Sequence, residues 1–208
     1  MKLISVNVGL PREVTWKGKT VSTGIFKEPV SKRVMVRSLN LDGDAQADLT
    51  VPGGLDKVIY VYPFDHYDYW QSELPDREFP PGIFGENFTI TGLREEEVNI
   101  GDLFAIGTVK LMVTQPRLPC YKLGIRFGRP DMVKRFLASH RTGFYFRILQ
   151  EGEVGAGDTL EFVSRDDNNI TVADITQLYV GKEDNPELLH RAAQLEALLK
   201  TWRDYFQR

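Results

Sequence analysis

Apolar positions in the first 163 residues recur at the two-residue period of half-buried strands, in short runs separated by Gly and Pro. Lys2 to Val8 alternates weakly. Thr20 to Phe26 and Val34 to Leu39 are strand-like, with Val34, Val36 and Ser38 sharing a face. Val58 to Tyr62 is β-branched and aromatic and stops at Pro63. Thr108 to Thr114 and Thr142 to Leu149 continue the pattern, with Phe144, Phe146 and Ile148 on one side. Two segments switch to helical spacing. Phe64 to Leu74 sets Tyr67, Trp70 and Leu74 three and four residues apart, and Asp131 to Ser139 opens after Pro130. Many short strands with frequent turns predict a mainly β protein with some α, built as a β-barrel rather than a doubly wound sheet.

A short pattern, V-x-x-G-D, occurs at Val98–Asp102 and again at Val154–Asp158, each time before a strand. Gly suits the turn and Asp can bond its own backbone just beyond, so the echo reads as a repeated hairpin device. After the polar run Arg165 to Asn169 the period changes. Thr171-Val172-Ala173-Asp174 is a capping-box-like start, and Asn185-Pro186-Glu187 is a second helix start. Leu188, Ala192 and Leu195 share one face; Leu198, Trp202 and Phe206 share the next. We therefore expect a barrel domain over residues 1–164 and a three-helix extension over 165–208. About forty residues cannot build a large core alone, so the helices should pack on the barrel or on a second copy, which makes a homodimer an expectation.

Composition narrows the partners. Of 208 residues, 42% are apolar and 26% charged, which excludes collagen-like and largely disordered readings. Lys and Arg total 26 against 29 Asp and Glu, so the basic surplus of a nucleic-acid-binding domain is missing. Neither nucleic acid nor membrane is expected as a partner, because no apolar run approaches the roughly 20 residues that span a bilayer. The start of the chain breaks at Pro11-Arg12-Glu13, too early for a secretory leader, and a single Cys cannot form an internal disulfide. A cytoplasmic location is the expectation.

The densest chemistry lies in Gln115-Pro116-Arg117-Leu118-Pro119-Cys120-Tyr121-Lys122-Leu123. Two prolines favour an extended loop that presents side chains. Arg117 and Lys122 flank the only thiol, and nearby cations favour thiolate, the form that is both nucleophile and soft-metal ligand. The competing reading is a small buried hydrophobe. A second cluster joins Asp42, Asp44 and Asp48 to Gly53-Gly54 and Lys57. Its glycines let backbone amides approach an anion that Lys57 could neutralise. The three Asp lack the closing Glu and the flanking helices of a calcium loop. His66 falls in the first turn of a helix and reads as a packing residue or an acid–base group. Asn87, in Gly85-Glu86-Asn87, reads as a polar contact or a strand-entry turn. The histidines lack zinc spacing.

Taken in order, Gly43-Asp44-x-Gln46-Ala47-Asp48, Gly53-Gly54-x-Asp56-Lys57-x-x-Tyr60-x-Tyr62-Pro63, His66-Tyr67-x-x-Trp70, Gly85-Glu86-Asn87, Ile100-Gly101-Asp102, the Gln115–Leu123 segment and Gly152-Glu153-Val154-x-x-Gly157-Asp158 resemble the YiiM-like branch of the MOSC domain family, named after the C-terminal domain of molybdenum cofactor sulfurases. The resemblance implies a MOSC-type β-barrel followed by a small three-helix C-terminal domain. It implies the molybdenum cofactor (molybdopterin), Cys120 as the thiolate on molybdenum, and reduction of N-hydroxylated compounds such as N-hydroxylated purine bases. Electrons would come from a separate reductase, since the chain carries no flavin, NAD or iron–sulfur motif. Lys19, Gly53, Gly54, Lys57, Asn87, Arg117 and Lys122 are the expected cofactor contacts, and His66 and Asp48 the candidate acids. Two rival readings are a non-catalytic cofactor carrier or sulfur-carrier module, and cofactor-free thiol chemistry at Cys120. One departure is visible: Pro52 stands before the double glycine, where the family commonly has His, which stiffens the turn and removes an N–H.

Overall fold

The computed structural model describes residues 1–45, 54–181 and 185–207. Twelve strands and six helices occur among them: β1 (Lys2–Val8), β2 (Arg12–Trp16), β3 (Lys19–Thr23), β4 (Glu28–Val30), β5 (Val34–Val36), β6 (Ile59–Pro63), α1 (Tyr67–Glu73), β7 (Phe88–Thr91), β8 (Leu103–Ile106), β9 (Val109–Pro116), α2 (Tyr121–Phe127), α3 (Met132–Ser139), β10 (Phe144–Gln150), β11 (Gly152–Val154), β12 (Glu161–Ser164), α4 (Val172–Tyr179), α5 (Pro186–Gln194) and α6 (Lys200–Phe206). Eight strands form one curled sheet in the order β12-β8-β9-β10-β6-β7-β1-β4; β2–β3 and β11–β5 make two small ribbons. The curl brings the start of β1 against the chain entering β12, where Leu3 N–H donates to Asp158 O (2.9 Å) and Gly157 N–H to Leu3 O (2.7 Å). The result is a half-barrel of the expected class.

Strand β6 shows why. All five of its residues are buried, because β10 and β7 flank it and both its faces are covered. Its pairing with β7 is parallel, which requires a crossover, and α1 supplies it. Inside the curl, Ile59, Val61, Phe88, Ile90, Val109, Leu111, Val113, Phe144 and Phe146 belong to one apolar cluster. That cluster continues into Ile175, Leu178, Ala192, Leu198, Trp202 and Phe206, so the C-terminal helices pack on the sheet. Their starts follow the sequence signals. Thr171 and Asp174 form a reciprocal capping box, and Asn185 Oδ1 accepts from Leu188 N–H (3.0 Å). The V-x-x-G-D echo is also structural: Gly101 and Gly157 both have φ above +90°. Its Asp bonds backward rather than onward, Asp102 to Asn99 N–H and Asp158 to Gly155 N–H, both 2.9 Å.

The segment after Pro119 departs from the extended loop expected of it. Helix α2 begins at Tyr121, and Gly124 lies within it because a Cβ there would come 3.0 Å from Arg129 O.

Candidate functional site

A single irregularity creates the site. Across β9 and β10, Phe146 pairs with Val113 but Tyr145 pairs with Gln115, so Thr114 is an extra residue. Side chains alternate along a strand, and one inserted residue flips everything beyond it to the other face. Val109, Leu111 and Val113 point into the core, whereas Gln115 and Arg117 share the outer face with Tyr145 and, one strand on, its partner Tyr60. Thr114 uses its position: its hydroxyl donates to Asp56 O (2.6 Å) and Tyr145 O (3.2 Å), tying the 3-10 turn Gly54–Lys57 to the bulge.

Arg117 is the centre of this face. Its guanidinium lies 4.7 Å from the Tyr60 ring and 5.3 Å from the Phe136 ring, with only 6% of the residue exposed. Its backbone N–H donates to Gly143 O (3.1 Å). Burial works against its charge, yet Tyr60, Tyr145, Cys120 and Glu86 outweigh burial and hold its pKa above the ordinary arginine value. Nη1 of Arg117 is buried without a hydrogen-bond partner, and so is Oε1 of Gln115, a residue 1% exposed. A buried unpaired polar atom costs about 1–3 kcal/mol, so two on one short segment need a reason.

Cys120 is the residue just before α2, and its thiol is exposed and makes no capping bond. Lys122, half-buried, lies in the first turn of the helix that Cys120 opens. Lys57 ends the 3-10 turn against β10; burial pulls its ammonium pKa down, with Asp56 opposing. Asp56 is ion-paired to Arg147 through Arg147 Nε (2.6 Å), on the same face of β10 as Tyr145. Gly54 has φ +47° and open space where a Cβ would be.

The candidate acid His66 and the expected cofactor contacts Asn87 and Lys19 have surroundings of their own. His66 is buried, its Nε2 2.7 Å from Glu95 Oε2, while Glu95 Oε1 accepts from Gly143 N–H (2.7 Å). Asn87 is buried too: Oδ1 accepts from Tyr60 N–H (3.2 Å) and Nδ2 donates to Asp44 Oδ2 (2.8 Å). Lys19 is exposed on the β2–β3 ribbon, opposite Trp16. Asp42 and Asp44 are taken by Arg37 and by Lys27, and no cluster of three metal-ligating side chains occurs among the described residues. Asp48, Pro52 and Gly53 lie outside the described residues.

Sequence reasoning overlooked Tyr60, Tyr145, Glu86 and Glu95. Glu86 is fully buried and accepts from Tyr67 OH, Gly82 N–H, Thr89 OH and Phe84 N–H; burial raises its pKa despite these bonds. Tyr60 and Tyr145 could have been found from their periodicity, since each alternates with core residues. The acids carried no such signal.

Residues 48–161 match the MOSC domain and residues 170–208 the YiiM-like, 3-alpha helix domain. The uncharacterized protein YflK of Bacillus subtilis is 40% identical over 206 residues, 99% of this chain and 93% of that protein. Protein YiiM of Escherichia coli is 34% identical over 182 residues, covering 86% and 81%. A protein of Gibberella moniliformis named Reductase is 30% identical over 181 residues, covering 86% of this chain and 32% of its own. The crystal structure of YiiM from Geobacillus stearothermophilus superposes with a TM-score of 0.83 at 36% identity, over 99% and 97% of the two chains. On these matches and on the half-barrel with its appended helices, the chain belongs to the MOSC domain family, in the branch with the YiiM-like three-helix domain.

Proposed function

We propose that this protein is a molybdenum-cofactor-dependent reductase of N-hydroxylated compounds, with Cys120 as the thiolate ligand. The observation that carries the reading is the exposed Cys120 thiol beside Arg117, whose buried Nη1 lacks a partner among the described residues. The residues fit such a group. A soft thiolate suits molybdenum, and an anionic pterin needs what Arg117, Lys57 and Lys122 offer: a buried cation with a donor to spare and two half-buried amines. When bound, the cofactor supplies two-electron chemistry at its metal.

This chain's residues would do the rest. Arg117 sets a buried positive charge near Cys120. Gln115 Oε1 offers an acceptor on the same face as Arg117. The His66–Glu95 pair fixes Gly143, which in turn fixes the Arg117 backbone. His66 is therefore a positioning residue in this reading, and Asp48 is the candidate acid for the departing hydroxyl. Electrons come from a separate reductase, and the long Reductase relative, two thirds of which lies outside the match, supports redox work for the domain.

The test is molybdenum content per chain, for wild type and Cys120→Ala purified from a host that makes the cofactor, followed by reduction of 6-hydroxylaminopurine with reduced methyl viologen. Near-stoichiometric metal lost in the variant, together with turnover by wild type only, is the expected result. Unchanged turnover by Cys120→Ala would sink the assignment. The Pro52 departure favours one rival, a cofactor carrier, which predicts full metal with no turnover in wild type.

A further inference from the structure

At the far end of α2 from Cys120, about 9 Å along the axis at 1.5 Å per residue, a second group of cations gathers. Arg12, at the start of β2, lies with its guanidinium carbon 3.6 Å from the Phe26 ring centroid, and Arg126, in the last turn of α2, lies 5.1 Å from the same centroid. Arg77 joins them: it stacks on Phe127 at 4.5 Å and donates from Nη1 to Phe127 O (2.9 Å) and from Nη2 to Arg126 O (3.0 Å). Among the described residues, none of the three forms an ion pair with a carboxylate. Glu28 and Glu86 act on Arg126 only through space, and Glu86 is already bonded to four donors.

This arrangement is unfavourable as it stands. Nε of Arg126 and Nε of Arg77 are both buried without a hydrogen-bond partner. Like charges on one ring repel, and burial first, then Arg12 and Arg77, pull the Arg126 pKa below its ordinary value. Each guanidinium gains its own cation–π contact with Phe26, but gathering two like charges on one ring adds a repulsion that neither would meet alone. An anion within reach of both guanidinium groups would offset the repulsion, and a phosphoryl group, with several acceptor oxygens, suits two forked donors better than a single carboxylate does.

We infer that Arg12 and Arg126, both set against the Phe26 ring, with Arg77 bonded to the Arg126 carbonyl, form a binding site for the phosphoryl group of a small ligand. The group could be the phosphate of a cofactor seated at Cys120 or a separate phosphorylated molecule. The site does not depend on the redox reading, and its test needs no molybdenum.

Isothermal titration of the cofactor-free protein with pyrophosphate tests it, with Arg12→Gln, Arg126→Gln and the double variant alongside. The expected result is saturable binding, weakened at least fivefold by each single change and lost in the double variant. Arg12 is exposed and its side chain makes no hydrogen bond among the described residues, so Arg12→Gln keeps the test valid should Arg126→Gln fold poorly. Thermal unfolding separates the alternatives: removing a repelling cation should leave the melting temperature of Arg126→Gln unchanged or raised. No saturable binding, or binding undiminished in the double variant, overturns the proposal. Repeating the titration on metal-loaded protein distinguishes the sources. Pyrophosphate excluded there identifies the group as the cofactor's phosphate, and pyrophosphate still bound identifies a separate ligand.

Discussion

On the inner side of the curled sheet, Phe144, Phe146, Val113, Leu111, Val61 and Ile90 meet one another and the C-terminal helices in an apolar cluster. On the outer side of the same strands lie Tyr60, Tyr62, Tyr145, Thr89, Asn7, Gln115 and Arg117, with Tyr62 against Tyr67 and Trp70 of α1 and Phe136 of α3, and Arg117 against Phe136. Tyr60 OH donates to Thr142 O, Tyr62 OH to Arg141 O, and Trp70 Nε1 to Tyr62 OH. The inner face derives its stability from area removed from water, which is non-directional. The outer face depends on partners, and most of its groups are satisfied by one particular neighbour. That contrast explains where function can reside. A face held by directed bonds can leave a chosen atom unbonded, and Gln115 Oε1 and Arg117 Nη1 are left so at one place.

If the contrast is sound, damage to the two faces should read out differently. Phe146→Ala should show the largest stability loss, about 3–5 kcal/mol by denaturant unfolding, while the folded fraction keeps the wild-type rate of Cys120 labelling by a thiol reagent. A folded Phe146→Ala protein with altered labelling would break the separation of faces. Glu86→Gln should cost about 1–3 kcal/mol, because an amide cannot accept from donors on both of its ends. Its pH dependence has a definite sign. Burial raises the Glu86 pKa, so the folded state holds a proton that the unfolded chain has released. Wild type should therefore lose stability relative to Glu86→Gln as pH rises from the ordinary carboxylate range through the raised value. A gain over that window would mean that the four donors outweigh burial.

Thr114→Val keeps the shape of the side chain and removes both hydroxyl bonds, for a cost of about 1 kcal/mol. Its more telling consequence is local: amide exchange at Asp56 and Lys57 should accelerate while exchange in β1 and β7 does not. Thr171→Ala should be the mildest, about 1 kcal/mol or less from the lost α4 cap, with Cys120 labelling untouched.

Much of the inner face was legible in the sequence, because Val34, Val36, Phe144, Phe146 and Ile148 alternate and alternation survives folding. The caps at Thr171 and Asn185 were legible for the same local reason. Helix α2 was not, since Gly124 and the two prolines before it mimic a loop, and the crowding that demands Gly124 comes from Arg129, a neighbour only after folding. At the site, Cys120 and Arg117 could be paired by spacing alone. His66 and Asn87 carry no signal that distinguishes a buried wall from a cavity lining, and nothing in the sequence ties them to their partners Glu95 and Asp44. The extra residue in β9 was invisible, since only its pairing with β10 reveals it.

That extra residue has a consequence for how the molecule can change. Residues on the two sides of Thr114 belong to opposite parities of the strand, so core and site are joined by a counting rule as well as by contacts. A point substitution can alter the chemistry at Gln115 or Arg117 without disturbing Val113. Deleting Thr114 would restore plain alternation with Gln115 directly after Val113 and still facing outward, so the two faces would survive and only the hydroxyl tie to Asp56 and Tyr145 would be lost. Sequence drift in this segment is therefore tolerant of letters at Gln115 and Arg117, and Thr114 is kept for its bonds rather than for the facing of its neighbours.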